Sequence, residues 1–297
     1  MELQVKYPDI DEFLTRALRE DIGSGDVTSR CCVPEDASSS GVFLAKEAGV
    51  ICGLEVAARV FRLLDGAVSF KPLVSDGDAV SAGEAIAEIS GPSRSILAGE
   101  RTALNLLRRL SGIATRTAAA VKGAAGGGAR VTDTRKTTPG MRALEKYAVR
   151  CGGGFNHRFG LYDGILIKDN HIAAAGGVAE AVARAKKNAP HTLRIEVETE
   201  SLEQIAQALE AGADIIMLDN MPVPQMAEAV RMIGGRALTE ASGNIGERDI
   251  AEVAASGVDI ISVGALTHSV RDMDISLKFL LPEAEGPGNA EVLWARQ

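Results

Sequence analysis

Leu193-Arg-Ile-Glu-Val-Glu198, Ser201-Leu-Glu-Gln-Ile-Ala-Gln-Ala-Leu-Glu-Ala211 and Ile215-Ile-Met-Leu-Asp-Asn220 follow one another with very short connections. A short apolar run, a stretch with helical spacing and a second apolar run make one strand–helix–strand unit. The pattern extends in both directions. Apolar runs recur at 129–132, 165–167, 193–197, 215–218, 236–238 and 260–263, with helical stretches near 141–151, 175–188, 201–211, 222–233 and 247–256. Six β-then-α units predict a parallel sheet. Gly212 and Gly257 fall where helix C-termini should end.

Polar residues decide between a barrel and an open sheet, because they follow every strand. They are Asp133-Thr-Arg-Lys136, Lys168-Asp-Asn-His171, Glu196 and Glu198, Asp219-Asn220, Glu240-Ala-Ser-Gly-Asn244 and Ser262-Val-Gly264. Chemistry ringed at many strand ends is barrel behaviour; an open doubly wound sheet would gather it at one switch point. Six or seven strands fall short of eight, so an incomplete barrel is expected.

Residues 10–100 read differently. A helix near 10–20, strands at 41–46, 67–70 and 85–89, a helix at 54–64 and dense turn signals make an α+β pattern. A long helix is expected from 96 to 125, ended by Gly126-Gly-Gly128. The stretch Asp76-Gly-Asp through Ile86 has the turn grammar of a lipoyl or biotinyl carrier domain. It lacks a lysine at the hairpin tip, so it reads as a structural β-hairpin.

Composition excludes several classes. The net charge of −8 and aromatic content of 4% argue against a nucleic-acid interface. No apolar run approaches a membrane span. The opening Met1-Glu-Leu-Gln-Val-Lys-Tyr-Pro-Asp9 has no secretory pattern. Cys31, Cys32, Cys52 and Cys151 contain no Cys-x-x-Cys spacing, so reduced thiols and a cytoplasmic location are expected.

Against this acidic background lies a basic island. From Arg130 to Lys168 eight Lys/Arg stand against Asp133, Glu145 and Asp163. Cations focused in a cleft suit a small polyanion. Arg135, Lys136, His157, Arg158 and Lys168 lie at strand ends or after a glycine run and read as its ligands. Arg142, Lys146 and Arg150 are spaced four apart and read as a solvated ladder along one helix. Glu196 and Glu198 share one strand face, with Asp219 on the next strand; clustered carboxylates near phosphate suit Mg²⁺ or a cationic sugar. Loops at Ser242-Gly-Asn244 and Val263-Gly-Ala265 can offer backbone N–H groups to phosphate. His171, His191 and His268 have no metal-site spacing, and no serine or cysteine has a base partner in sequence.

The chain resembles the quinolinate phosphoribosyltransferase family. The resemblance rests on Glu20-Asp-Ile-Gly-Ser-Gly-Asp-Val-Thr28, Glu100-Arg-Thr-Ala-Leu-Asn105, Leu110-Ser-Gly-Ile-Ala-Thr115 and Thr134-Arg-Lys-Thr-Thr-Pro-Gly140. It continues through Asn156-His-Arg158, Lys168-Asp-Asn-His171, Glu196-Val-Glu198, Leu218-Asp-Asn220 and Ser262-Val-Gly-Ala-Leu-Thr-His268. It is collinear from about residue 10 to 280. It implies an N-terminal α/β sandwich over 1–112, rejoined by about 273–297, and a TIM-like α/β barrel over 113–272.

The implied reaction joins the quinolinate ring nitrogen to C1 of phosphoribosyl pyrophosphate (PRPP). Pyrophosphate leaves, then CO₂, giving nicotinate mononucleotide for NAD biosynthesis. Arg135, His157, Arg158 and Lys168 would grip the two carboxylates, with Lys136 between quinolinate and the phosphates. Arg101 would come from the partner of a homodimer. Glu198 and Asp219 would serve the ribose and a Mg²⁺ bound with PRPP, and with Lys136 form the catalytic set. Ser242, Gly243, Asn244, Ser262, Gly264 and Ala265 would hold phosphate. No organic cofactor, nucleic acid or membrane is implied. Phe155 stands where a small polar residue is commoner, which bears on packing. The alternatives are a paralogue linked to molybdenum transport, a nicotinate-using relative, or a non-catalytic sugar-phosphate sensor. The intact dicarboxylate-gripping set argues against the first two, and the retained Glu198 and Asp219 against the third.

Overall fold

The structure is a computed structural model that describes residues 10–280. The opening nonapeptide and the end of the C-terminal segment, 281–297, lie outside the described residues.

The first part runs α1 (Ile10–Ile22), α2 (Val27–Cys32), β1 (Ser38–Ala45), β2 (Gly49–Val50), α3 (Leu54–Leu64), β3 (Ser69–Pro72), β4 (Ala79–Val80) and β5 (Ala85–Pro92). The short α2 escaped the sequence reading; Asp26 begins it, its side chain accepting the Ser29 N–H at 3.0 Å. Strands β3, β5 and β1 form an antiparallel sheet, completed by β12 (Ile275–Phe279) from the far end of the chain, which pairs with β1. Phe43, Phe61 and Phe70 meet edge-on and stacked in its core, with centroids 5.4–6.3 Å apart. The expected hairpin is not simple. β3 pairs with β5, but β4 between them turns away to pair with β2.

The 32-residue α4 (Ser93–Ala124) joins the two parts, packing against α3 and against the barrel helix α5 (Arg142–Cys151). Gly112 permits its crossing with the returning chain: a Cβ there would lie 2.3 Å from the Arg271 carbonyl oxygen.

The second part alternates as read: β6 (Arg130–Thr132), α5 (Arg142–Cys151), β7 (Ile165–Ile167), α6 (Asp169–Ala175), α7 (Val178–Asn188), β8 (Ile195–Thr199), α8 (Leu202–Glu210), β9 (Ile215–Asp219), α9 (Val223–Ile233), β10 (Leu238–Ser242), α10 (Ile250–Ala255), β11 (Ile260–Ser262) and α11 (Ala265–His268). The helix expected at 175–188 begins only at Val178, because Gly176 and Gly177 take φ values of 96° and 150° that no helix accommodates; the short α6 before it escaped the sequence reading. The six strands pair in the order β6-β11-β10-β9-β8-β7, all parallel. A bridge between Thr132 and Phe155 adds a single-residue seventh position beside β6. Among the described residues no ladder joins Phe155 to β7, so the barrel is incomplete, as expected. On the outer face of the strands, Val131, Val197, Ile216, Leu218, Ala241 and Ile261 are buried between sheet and helices.

Candidate active site

A cavity of about 510 Å³ opens at the C-terminal ends of the barrel strands. Its lining contains Arg135, Lys136, His157, Arg158, Lys168, Glu198, Asp219, Ser242, Gly243, Asn244 and Ser262. Eleven of the fourteen residues picked out by sequence thus share one wall. Gly264 and Ala265 are not in the lining; a Cβ at Gly264 would lie 3.1 Å from Lys136 Cδ, and Ala265 begins α11. Arg101 does not line the cavity; it is exposed on α4, and its side chain makes no hydrogen bond or ion pair among the described residues.

The cationic half is held from beneath. β6 runs straight into Asp133, which is fully buried. The loop after it is fastened at Thr138, whose backbone N–H donates to Glu145 Oε2 at 3.0 Å and whose hydroxyl donates to Oε1 at 2.8 Å. Glu145 is buried and ion-paired with Arg109 of α4 at 3.0 Å. The Thr267 hydroxyl donates to the Lys136 carbonyl at 2.7 Å. Arg135 and Lys136 are therefore presented on a braced loop.

Lys146 corrects the expected solvated ladder. It is 3% exposed and ion-paired with Asp133 at 2.5 Å. Arg142 donates to the Thr137 hydroxyl at 2.9 Å and the Phe159 carbonyl at 3.1 Å. Only Arg150 stays at the surface, over the Phe155 ring at 5.3 Å, with Arg130 at 5.2 Å. Phe155 is 41% exposed beneath these two guanidinium groups and does not line the cavity.

Arg135 and Arg158 lie close enough to repel. Burial, then the charge of Arg135, holds Arg158 below its ordinary value. The Nε–H of each is buried with no partner among the described residues. Such donors cost free energy until an acceptor arrives. Lys168 follows β7, at the start of α6, and is ion-paired with Glu198 within the chain. The anion that the sequence demanded for Lys168 is thus in part the neighbouring strand.

His157 is more constrained than its sequence suggests. Its Nδ1 accepts the Arg158 N–H at 2.8 Å, and its Nε2 lies 3.1 Å from Glu196 and 3.6 Å from Glu240. Accepting at Nδ1 puts the ring proton on Nε2, aimed at the carboxylates. Burial opposes charge on the ring, but Glu196 and Glu240 outweigh it and raise the histidine. Sequence reading left Glu240 out of the site. It is 2% exposed, lines the cavity, and is pushed up to about 7 by burial and then by Glu196. Strand alternation could have found it, since Glu240 shares a face with Ser242. Below the three groups a second cavity of about 340 Å³, lined by Thr192, Arg194 and Ile215 among others, reaches the same His157, Arg158 and Glu240.

The other half is oxygen-rich and backbone-lined. Asp219 ends β9, and its Oδ2 accepts the Asn220 amide at 2.8 Å. Asn220 and Asn244 take left-handed φ values of 55° and 50°. Gly243, at φ 88°, is required: a Cβ there would meet Asn220 Oδ1 at 2.2 Å. The turn brings the Ser242–Asn244 backbone beside Asp219. Glu198 and Asp219 are hard oxygen donors on adjacent strands, the type Mg²⁺ accepts.

Comparison with known proteins gives a consistent answer. The family model "Quinolinate phosphoribosyl transferase, C-terminal domain" matches residues 113–278, and its N-terminal counterpart matches 26–111. A probable nicotinate-nucleotide pyrophosphorylase (carboxylating) from Bacillus subtilis is 46% identical over 272 residues, 92% of this chain and 94% of the relative. A nicotinate-nucleotide pyrophosphorylase (carboxylating) from Mycobacterium leprae is 45% identical over 270 residues, 89% of this chain and 95% of the relative. The solved nicotinate-nucleotide pyrophosphorylase from Francisella tularensis superposes with a TM-score of 0.88 at 42% identity, covering 92% of this chain and 96% of that one.

Proposed function

The chain belongs to the quinolinate phosphoribosyltransferase family, and from that premise we propose how its residues divide the reaction. The activity is transfer of a phosphoribosyl group from PRPP to quinolinate with loss of CO₂, in NAD biosynthesis. The observation that carries the substrate assignment is the pair Arg135 and Arg158: two neighbouring guanidinium groups with buried, unpartnered Nε–H donors on the cavity wall. A planar dicarboxylate satisfies both forks and relieves their repulsion.

In our reading Arg135, Arg158 and Lys168 take the carboxylates, and His157 joins them only by giving up one of its in-chain partners. Lys136 stands between the ring and the phosphates. Ser242 to Asn244, with Ser262 and the Gly264–Ala265 turn, receive phosphate. The ring nitrogen attacks the ribose C1 as pyrophosphate departs, and positive charge develops on the sugar. Glu198 and Asp219 stabilise that charge and hold the ribose hydroxyls. The new ring cation then stabilises the carbanion left when CO₂ departs, and a proton from water at that carbon completes nicotinate mononucleotide. Glu198 and Asp219 also suit the Mg²⁺ that would accompany PRPP; when bound, it neutralises charge on the departing pyrophosphate. Binding PRPP would draw Glu198 away from Lys168 and free that lysine for quinolinate. We further propose a homodimer in which Arg101 serves the neighbouring site, and a cytoplasmic location that keeps the four free thiols reduced.

Purified protein given quinolinate, PRPP and Mg²⁺ is expected to form nicotinate mononucleotide with one CO₂ per turnover, measured by chromatography and ¹⁴CO₂ release from carboxyl-labelled quinolinate. Turnover of nicotinate in place of quinolinate would sink the reading.

A further inference from the structure

Three consecutive residues of α5 fasten three different pieces of the chain. Glu145 holds the Arg135–Lys136 loop through Thr138. Lys146 reaches the opposite side of the cationic wall, and the Tyr147 hydroxyl donates to Asp76 of the N-terminal part at 2.9 Å. The middle residue shows most about the reaction, because what it holds is the segment Asn156-His157-Arg158.

Lys146 Nζ donates to Asp133 Oδ1 at 2.5 Å and to the His157 carbonyl at 3.0 Å. Asp133 Oδ1 also accepts the His157 N–H at 2.9 Å, and its Oδ2 accepts the Asn156 side-chain amide at 2.7 Å. That amide reaches back to the Lys146 carbonyl at 2.9 Å. Both polar groups of His157's backbone are thus clamped by one buried ion pair. The clamp sets the direction of its ring and of the Arg158 N–H that bonds to it. Neither Asp133 nor Lys146 lines the cavity, so neither touches a bound substrate. Burial pushes Asp133 up and Lys146 down, each charge being sustained by the other. A buried pair of this kind is no more stable than a well-packed apolar one, so its use lies in placement.

We propose that Lys146 and Asp133 are positioning residues for the dicarboxylate grip, fixing His157 and Arg158 for quinolinate while leaving the PRPP half to other supports. The inference rests on the quinolinate reading. Its selectivity follows from the hydrogen bonds: Lys136 is anchored by Thr267, and the Ser242–Asn244 turn by Asn220.

The test is steady-state kinetics of the full-length Lys146→Met variant, varying each substrate separately. The KM for quinolinate should rise by roughly tenfold to a hundredfold, the scale expected when a binding group is displaced by about 1 Å. The KM for PRPP should move less than about threefold. Equal rises for both substrates, or no rise for quinolinate, would overturn the proposal. Should K146M not fold, the double variant D133N/K146M, which leaves no orphaned charge, is judged by the same ratio. A double variant with the wild-type quinolinate KM would reduce the pair to a structural role. Wild-type protein in the same run separates the two readings. If it fails to turn over quinolinate, the functional assignment falls and this inference falls with it. If it succeeds, the KM ratio decides the inference alone.

Discussion

Glu240 shows what a single side chain adds to this site. It projects from the middle of β10 into the barrel, beside Glu196 and 3.6 Å from His157 Nε2. Burial and the Glu196 charge push it from 4.5 to about 7, against the pull of His157. A carboxyl raised in the fold binds its proton more tightly there than in the unfolded chain. Its contribution to stability is complete below about pH 4.5 and is lost as pH rises through about 7. His157, also raised, adds the same sign. The Glu240 shift corresponds to roughly 3 kcal/mol at most. Wild-type melting temperature should therefore fall between pH 5 and pH 8, and Glu240→Gln should flatten that fall and be the more stable form at pH 8. Parallel melting curves for the two proteins across that range would refute this account. The sequence hid Glu240 for a physical reason. The apolar run Arg236–Leu238 seemed to end before it, whereas the strand spans Leu238–Ser242, with the buried carboxyl set beside His157. Lys146 was hidden differently: four-residue charge spacing looks the same whether the face meets water or a buried aspartate.

Elements were more legible than side chains. Helices 54–64 and 142–151 and strand 165–167 fall within a residue of their expected limits, because amphipathic spacing and flanking glycines specify them locally. What escaped depends on contacts distant in sequence. The stretch from Asp76 to Ile86 read as a β-hairpin, yet Asp76 serves a helix 22 residues earlier. Its Oδ1 accepts the Gly53 and Leu54 N–H groups at 2.9 and 3.0 Å, at the N-terminus of α3. Free N–H groups and the positive end of the helix dipole both favour a carboxylate there. Its Oδ2 accepts the Tyr147 hydroxyl from α5, so one side chain ties helix start to barrel. Asp76→Ala should cost about 1–3 kcal/mol, the range for losing a cap together with a buried hydrogen bond, read by urea denaturation. Asp76→Asn should recover part of it, since the amide oxygen still accepts from the backbone. Equal losses in the two variants would show that the carboxylate oxygens contribute nothing specific.

At the scale of the molecule, α4 passes from one part to the other and distributes its arginines between them. Arg109 reaches into the barrel to Glu145 and the Thr267 carbonyl. Arg101, about 12 Å earlier along the axis at the usual helical rise, points to solvent with no partner among the described residues. An arginine adds to a substrate grip only where it can reach the substrate, and Arg101 is absent from its own chain's cavity wall. If it acts in catalysis, a second copy must bring it. That geometry has a distinctive consequence. Arg101→Ala and Lys168→Ala should each be inactive as homodimers, because every site lacks one cation. In a mixed dimer one site carries both defects and the other carries none. Mixing equal amounts of the two variants under conditions of subunit exchange should therefore restore about a quarter of wild-type activity. Half the dimers are mixed under random exchange, and each mixed dimer has one intact site of two. Recovery near zero, with exchange demonstrated by differently tagged chains, would mean that Arg101 and Lys168 serve the same chain and that the dimer is not needed to complete the site.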